Sequence, residues 1–121
     1  MSVILTKRSG GGGGVEELTQ IHQTIPSSVT LTIDSLSIAM YRSAKWIVTI
    51  TDEVLDKSMA YEILGLHRRL TDANYNVYAM IGDTVNHTPD VQIVALDLVL
   101  LITNNEPHDI IVDVVRIPTL A

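Results

Sequence analysis

SLSIAMYRSAKWIVTIT, residues 35–51, carries the clearest structural signal in the chain. In its second half Trp46, Val48 and Ile50 fall on one face. Lys45, Ile47, Thr49 and Thr51, mainly polar, fall on the other. Alternation with a period of two marks a half-buried β-strand. Trp46 is the only tryptophan of the chain, and its large apolar area makes it a natural core anchor.

Working outward from this strand, the same pattern recurs. Val15–Ile25 carries both a loose helical spacing (Val15, Leu18, Ile21) and a strand alternation (Thr19, Ile21, Gln23, Ile25). The strand is preferred, ended by Pro26-Ser27-Ser28. Val29–Ile33 follows as a second strand. Beyond Trp46, the segment 51–57 (TDEVLDK) is a polar turn. Met59–His67 is a strand with Met59, Tyr61 and Ile63 on one face. Tyr75, Val77, Ala79 and Ile81 alternate cleanly, and Gly82–Asp90 is a loop. Val91–Ile102 is too long for one ordinary strand, which places a bend or tight turn near Asp97. Ile110–Ile117 is the last strand, stopped by Pro118. Seven to eight short strands at turn intervals of about ten residues describe an all-β chain, an antiparallel, jelly-roll-like β-sandwich. Alternation selects Trp46, Val48, Ile50, Val77, Ile81, Val94, Leu100 and Val112 as its core.

Composition fits this reading. The chain has 121 residues, enough for one core. Phe is absent and aromatics are only 4 %, so the core is built from Val, Ile and Leu, which favours strands. No Cys is present, which excludes disulfides, thiol catalysis and thiolate metal sites. Net charge is -6 and unevenly spread. Residues 1–14 contain Lys7 and Arg8 and no acid, and residues 15–121 set six Lys or Arg against all 14 acids. An acidic body argues against nucleic acid as a partner. The longest apolar run, Leu98–Ile102, is far short of the ~20 residues of a membrane span. The order of basic and apolar residues at the N-terminus is not that of a secretory signal.

The chain divides into an arm with its linker, residues 1–14, and a sandwich, residues 15–121. Residues 10–14 are five consecutive glycines, the composition of a flexible linker. A phosphate loop needs Gly-Lys-Ser/Thr at its end, and here Val15 follows Gly14. The arm, MSVILTKRS, offers a short β-prone patch, Val3, Ile4 and Leu5, followed by Lys7 and Arg8. It suits adding a strand to the sheet edge of an acidic neighbour.

No residue pattern carries catalysis, cofactor binding or metal binding. His22, His67, His87 and His108 lie 45, 20 and 21 residues apart, without the local pair that zinc sites usually show. Asp52, Glu53 and Asp56 lack the spacing of a calcium loop and read as a solvated turn. Asp109 and Asp113 read as surface or edge charges. Arg68 and Arg69 form a small basic patch without interleaved aromatics, a solvated turn or an ion-pair contact to an acidic neighbour. There is no GxSxG elbow. Leu98–Ile102 and Ile110–Ile117 carry Ile, Val or Leu on both faces, as covered central strands or strands meeting another chain do.

Asp34-Ser35-Leu36-Ser37 followed by Tyr41-Arg42-Ser43-Ala44-Lys45-Trp46 resembles a module of structural proteins of tailed bacteriophages. Its pattern is close to Asp-Ser-Phe-Ser, then Tyr-Arg-Ser-Ala-Lys-Tyr and an alternating strand. Glu62–His67, Asn76-Val77-Tyr78 and Val114-Val115-Arg116 resemble its later strands, so the likeness covers about residues 29–117. Leu36 and Trp46 replace the usual aromatics. Ala95-Leu96-Asp97 stands where a Gly-rich hairpin turn is usual. The resemblance implies a virion structural component of the capsid, neck, baseplate or fibre. It implies other virion proteins and further copies of the chain as partners, and no catalytic residues. A carbohydrate-binding host-attachment module is the alternative, although sugar sites favour exposed aromatics. Arg42 is expected to pair with an acidic residue or turn carbonyls, since its fork satisfies several acceptors; the competing reading makes it a ligand contact.

Overall fold

The computed structural model describes residues 19–120. The arm and linker, with Val3, Ile4, Leu5, Lys7 and Arg8, lie outside the described residues. Eight strands follow one another: β1 (Thr19–Ile25), β2 (Thr30–Ser37), β3 (Tyr41–Asp52), β4 (Lys57–His67), β5 (Ala73–Gly82), β6 (His87–Val94), β7 (Asp97–Asn104) and β8 (Ile110–Leu120). They pair antiparallel throughout, in a five-stranded sheet of order β1-β8-β3-β4-β5 and a three-stranded sheet of order β2-β7-β6. The runs β1-β8-β3 and β2-β7 follow jelly-roll order. β4 and β5 stay beside β3 as a meander, which widens one sheet at the expense of the other.

Trp46 lies at the centre, fully buried with Val48, Ile50, Leu100 and Val112. Its ring rests on Gly65 of β4, where a Cβ would come within 2.7 Å of it. Glycine at this position is what lets the indole lie flat against the neighbouring strand. β7 and β8 are central in their sheets, which accounts for their two-sided hydrophobicity: Ile110, Val112 and Val114 face the core, and Ile111 and Val115 are half-buried outside.

Several expectations are corrected. Ile81 is 68 % exposed. β5 carries a bulge, with Ala60 opposite Ile81 but Glu62 opposite Tyr78, and Ala79 adopts a φ of 56°. The extra residue reverses the phase, so Val77 leans on the core and Ile81 points outward. Val94 is 48 % exposed, because Val91 and Ile93 hold the inward phase of β6. The strand after Gly82 begins at His87, within the expected loop. β2 runs on to Ser37. β8 passes through Pro118, which pairs with Ala44 of β3.

The turn expected near Asp97 is a two-residue hairpin. Val94 pairs with Asp97, and Ala95 and Leu96 have φ of 50° and 66°. Two consecutive left-handed residues define the mirror-image hairpin turn usually built from Asn-Gly. Here two residues with side chains bear the conformation.

Candidate functional site

Asp34, Trp46 and Arg116, from three strands, converge on one buried cluster. β2 carries a register shift between Thr32 and Asp34, so Ile33 and Asp34 both face inward. This sends the Asp34 carboxylate across to the five-stranded sheet. Its Oδ2 accepts from Trp46 Nε1 at 2.8 Å, and its Oδ1 from Arg116 Nη1 at 2.8 Å. Arg116 Nη2 also donates to Thr19 Oγ1 at 3.1 Å. A charge-assisted bond between facing sheets fixes their relative position as apolar contacts alone do not. The guanidinium fork expected of Arg42 is thus supplied by Arg116. Arg42 is exposed, and among the described residues its side chain makes no hydrogen bond or ion pair. Nearby, His67 Nε2 donates to the carbonyl of Tyr41 at 3.0 Å, tying β4 to the start of β3.

A second cluster locks the opposite end of the sandwich. The alternation of β3 carries Asp52 inward after Ile50, and Asp52 is fully buried rather than solvated. Its Oδ1 accepts from the backbone N–H groups of Val54 and Leu55, each at 3.0 Å. Its Oδ2 accepts from His108 Nε2 at 2.8 Å. Burial pushes the Asp52 carboxyl up, but the His108 hydrogen bond and the two backbone donors outweigh it and hold it below the ordinary value. Asn104, also buried, donates to the carbonyls of Ile25 and His108 at 2.8 and 2.7 Å. Glu106 accepts from the Asn86 N–H at 2.7 Å.

Asp52, Glu106 and His108 present ligand-type atoms within 4.8 Å of one another, a grouping invisible in the sequence spacing. Both Asp52 oxygens already accept N–H donors, so the cluster acts chemically as a lock joining three inter-strand loops. Asp109 is exposed in the loop before β8, whereas Asp113 is half-buried and bonded to His22 across β1 and β8.

Along the side where β5 faces β6, Tyr61 and His87 bridge the two sheets. His87 Nδ1 donates to the Val85 carbonyl at 2.6 Å, leaving Nε2 to accept from the Tyr61 hydroxyl at 2.7 Å. Burial pushes the Tyr61 hydroxyl far up and His87 down. Met59, Met80, Val85 and Pro89 join the pair around a depression of about 190 Å³. Tyr75 reaches the same seam nearer its other end, where burial first and the Asp90 carboxylate second raise its hydroxyl. Among the described residues, no Ser or Thr hydroxyl is hydrogen-bonded to a histidine.

Of the sequence-selected interface residues, Arg68 and Arg69 are described. They project from the β4–β5 turn and share Asp72 at 3.6 and 3.7 Å. On the outer face of the larger sheet, Lys45 and Glu62 pair at 2.6 Å, with Tyr78 donating to Glu62 at 3.1 Å. Asp34 and Asp52, the buried acids among the described residues, read in the sequence only as part of a motif and as part of a solvated turn. The inward phase of β3 pointed to Asp52, but no local signal pointed to the bulge that turns Asp34 inward.

No protein-family profile matches the chain, and no curated protein sequence matches it. Among solved structures, the tailspike protein of the Acinetobacter phage vB_ApiP_P1 is similar. Its TM-score is 0.51 at 13 % sequence identity, over 100 % of this chain and 25 % of the tailspike chain. At that identity the likeness is one of fold. The sandwich is therefore of a kind that occurs within a phage tail protein, and the chain spans a quarter of that protein's length.

Proposed function

We propose that the chain is a non-enzymatic structural subunit of a tailed-bacteriophage virion. Its place is an accessory one: capsid decoration, neck, baseplate or fibre attachment. The observation that carries this reading is the use made of the module's residues. Asp34, Trp46 and Arg116 tie the two sheets together, and His67 ties β4 to β3, so the shared pattern encodes a scaffold. The fold shared with part of a phage tailspike supports the same setting.

Contacts to neighbouring virion proteins, and to other copies of the chain, run through the sandwich surface and the arm. In the arm, Val3, Ile4 and Leu5 add a strand and Lys7 and Arg8 meet acidic surface. Stacking platforms for sugars are scarce: Trp46 and Tyr61 are in the core and Tyr75 is the one exposed aromatic among the described residues, which favours the assembly reading over carbohydrate attachment.

Particles assembled with the full chain and with a chain starting at Val15 test the proposal. The full chain is expected in purified virions by mass spectrometry. The shortened chain is expected to fold, with wild-type thermal denaturation, and to be missing from them. Absence of the full chain from virions would overturn the virion role. Normal incorporation of the shortened chain would overturn the role of the arm.

A further inference from the structure

β5 is the outer strand of the larger sheet, paired with β4 along one side. Exposed sheet edges recruit other strands unless proline, charge, bulges or shortness blunt them. The other outer strands are blunted or polar. β6 carries Pro89 and Asp90, β2 is bulged, and β1, over its described residues, presents Thr, Gln and His. β5 runs for ten residues, ANYNVYAMIG, without a charge or a proline. Its bulge lies towards its end, leaving Ala73–Tyr78 in unbroken register with β4.

We propose that this edge pairs antiparallel with β5 of a second copy, joining two five-stranded sheets into one across a two-fold axis. Opposed residues of an antiparallel pair share a face, so such an axis passes through one residue. Asn76 is the residue that fits: it is exposed on the outer face, and an axis there sets Asn74 of each copy against Tyr78 of the other. The same register brings the Arg69 turn of each copy to the Asp83 end of the other.

Charge supports this partner. The start of β5 is flanked by Arg68 and Arg69, which share the single acid Asp72 and keep a net positive charge, and its end by Asp83, with Glu53 and Asp56 in the adjoining β3–β4 turn. Antiparallel self-pairing matches these opposite charges twice, as an isologous contact does. Leu70 and Met80, 67 % and 61 % exposed, sit at the same two ends. The inference stands apart from the virion reading, because it concerns the chain alone.

Analytical ultracentrifugation of the full chain at submillimolar concentration tests it. A mass of two chains is expected, falling towards one as salt is raised. Asn76→Lys and Asn76→Glu each place like charges opposite each other at the axis, and each is expected to weaken the dimer about tenfold or more. An equimolar mixture of the two variants is expected to recover the wild-type dimer. A monomeric wild type, or two variants that stay as dimeric as wild type, overturns the proposal. Should either variant melt below wild type, Arg69→Glu in the exposed turn carries the test. A weakening of about tenfold supports the pairing, and no change overturns it.

Discussion

Removing the Asp34 carboxylate tests the inter-sheet clamp directly. Asp34→Ala leaves the Arg116 guanidinium, whose side chain is 19 % exposed, without its counter-charge. It also leaves Trp46 Nε1 without an acceptor in a fully buried position. Breaking a buried pair by deleting one partner costs about 3–5 kcal/mol, a large share of the ~5–15 kcal/mol that holds a typical domain folded. At about 4 °C per kcal/mol for a domain of this size, the midpoint of thermal unfolding falls by about 12–20 °C. The paired variant Asp34→Leu with Arg116→Met removes both charges together. Only the indole N–H and the Thr19 hydroxyl then lose partners, and stability is expected within about 2 kcal/mol of wild type. Urea denaturation of the two variants and wild type measures all three values. An Asp34→Ala protein within about 1 kcal/mol of wild type would refute the clamp. So would a paired variant less stable than the single one, since an uncompensated charge would then not be the cause.

Two further outcomes follow from the geometry. Ala95→Asn with Leu96→Gly supplies the residues that the left-handed hairpin turn favours, and is expected to stabilise the chain by about 1–2 kcal/mol. An unchanged or lowered melting temperature would count against the turn. Burial holds His87 below its ordinary value, so its neutral form contributes stability above about pH 6.5 that is lost as pH falls through the depressed folded value. Between about pH 8 and pH 5 the wild type should therefore lose more stability than His87→Gln, measured by urea denaturation at both values. Equal losses would show that His87 is not held neutral by the fold.

The sequence by itself determined the elements. Alternation around Trp46, Val48 and Ile50 is a property of the extended backbone, whose side chains change face at every residue. It therefore placed β3, β4 and the inward residues of β8 without knowledge of their neighbours. The long apolar run with Asp97 inside it likewise announced a bend or tight turn there. What only the tertiary structure decided is where that alternation breaks. The bulge before Asp34 turns a carboxylate into the core to meet Trp46 and Arg116, and the bulge at Ala79 turns Ile81 out of it. Pro118 lies within a strand, opposite Ala44 of β3, a pairing that no neighbouring residue records. Bulges and edges arise from pairing between distant segments, Asp34 with Leu100 and Ile81 with Ala60. A period-two pattern reports only the chain's own pleat, so the clamp and the open β5 edge come into view once the strands are laid side by side.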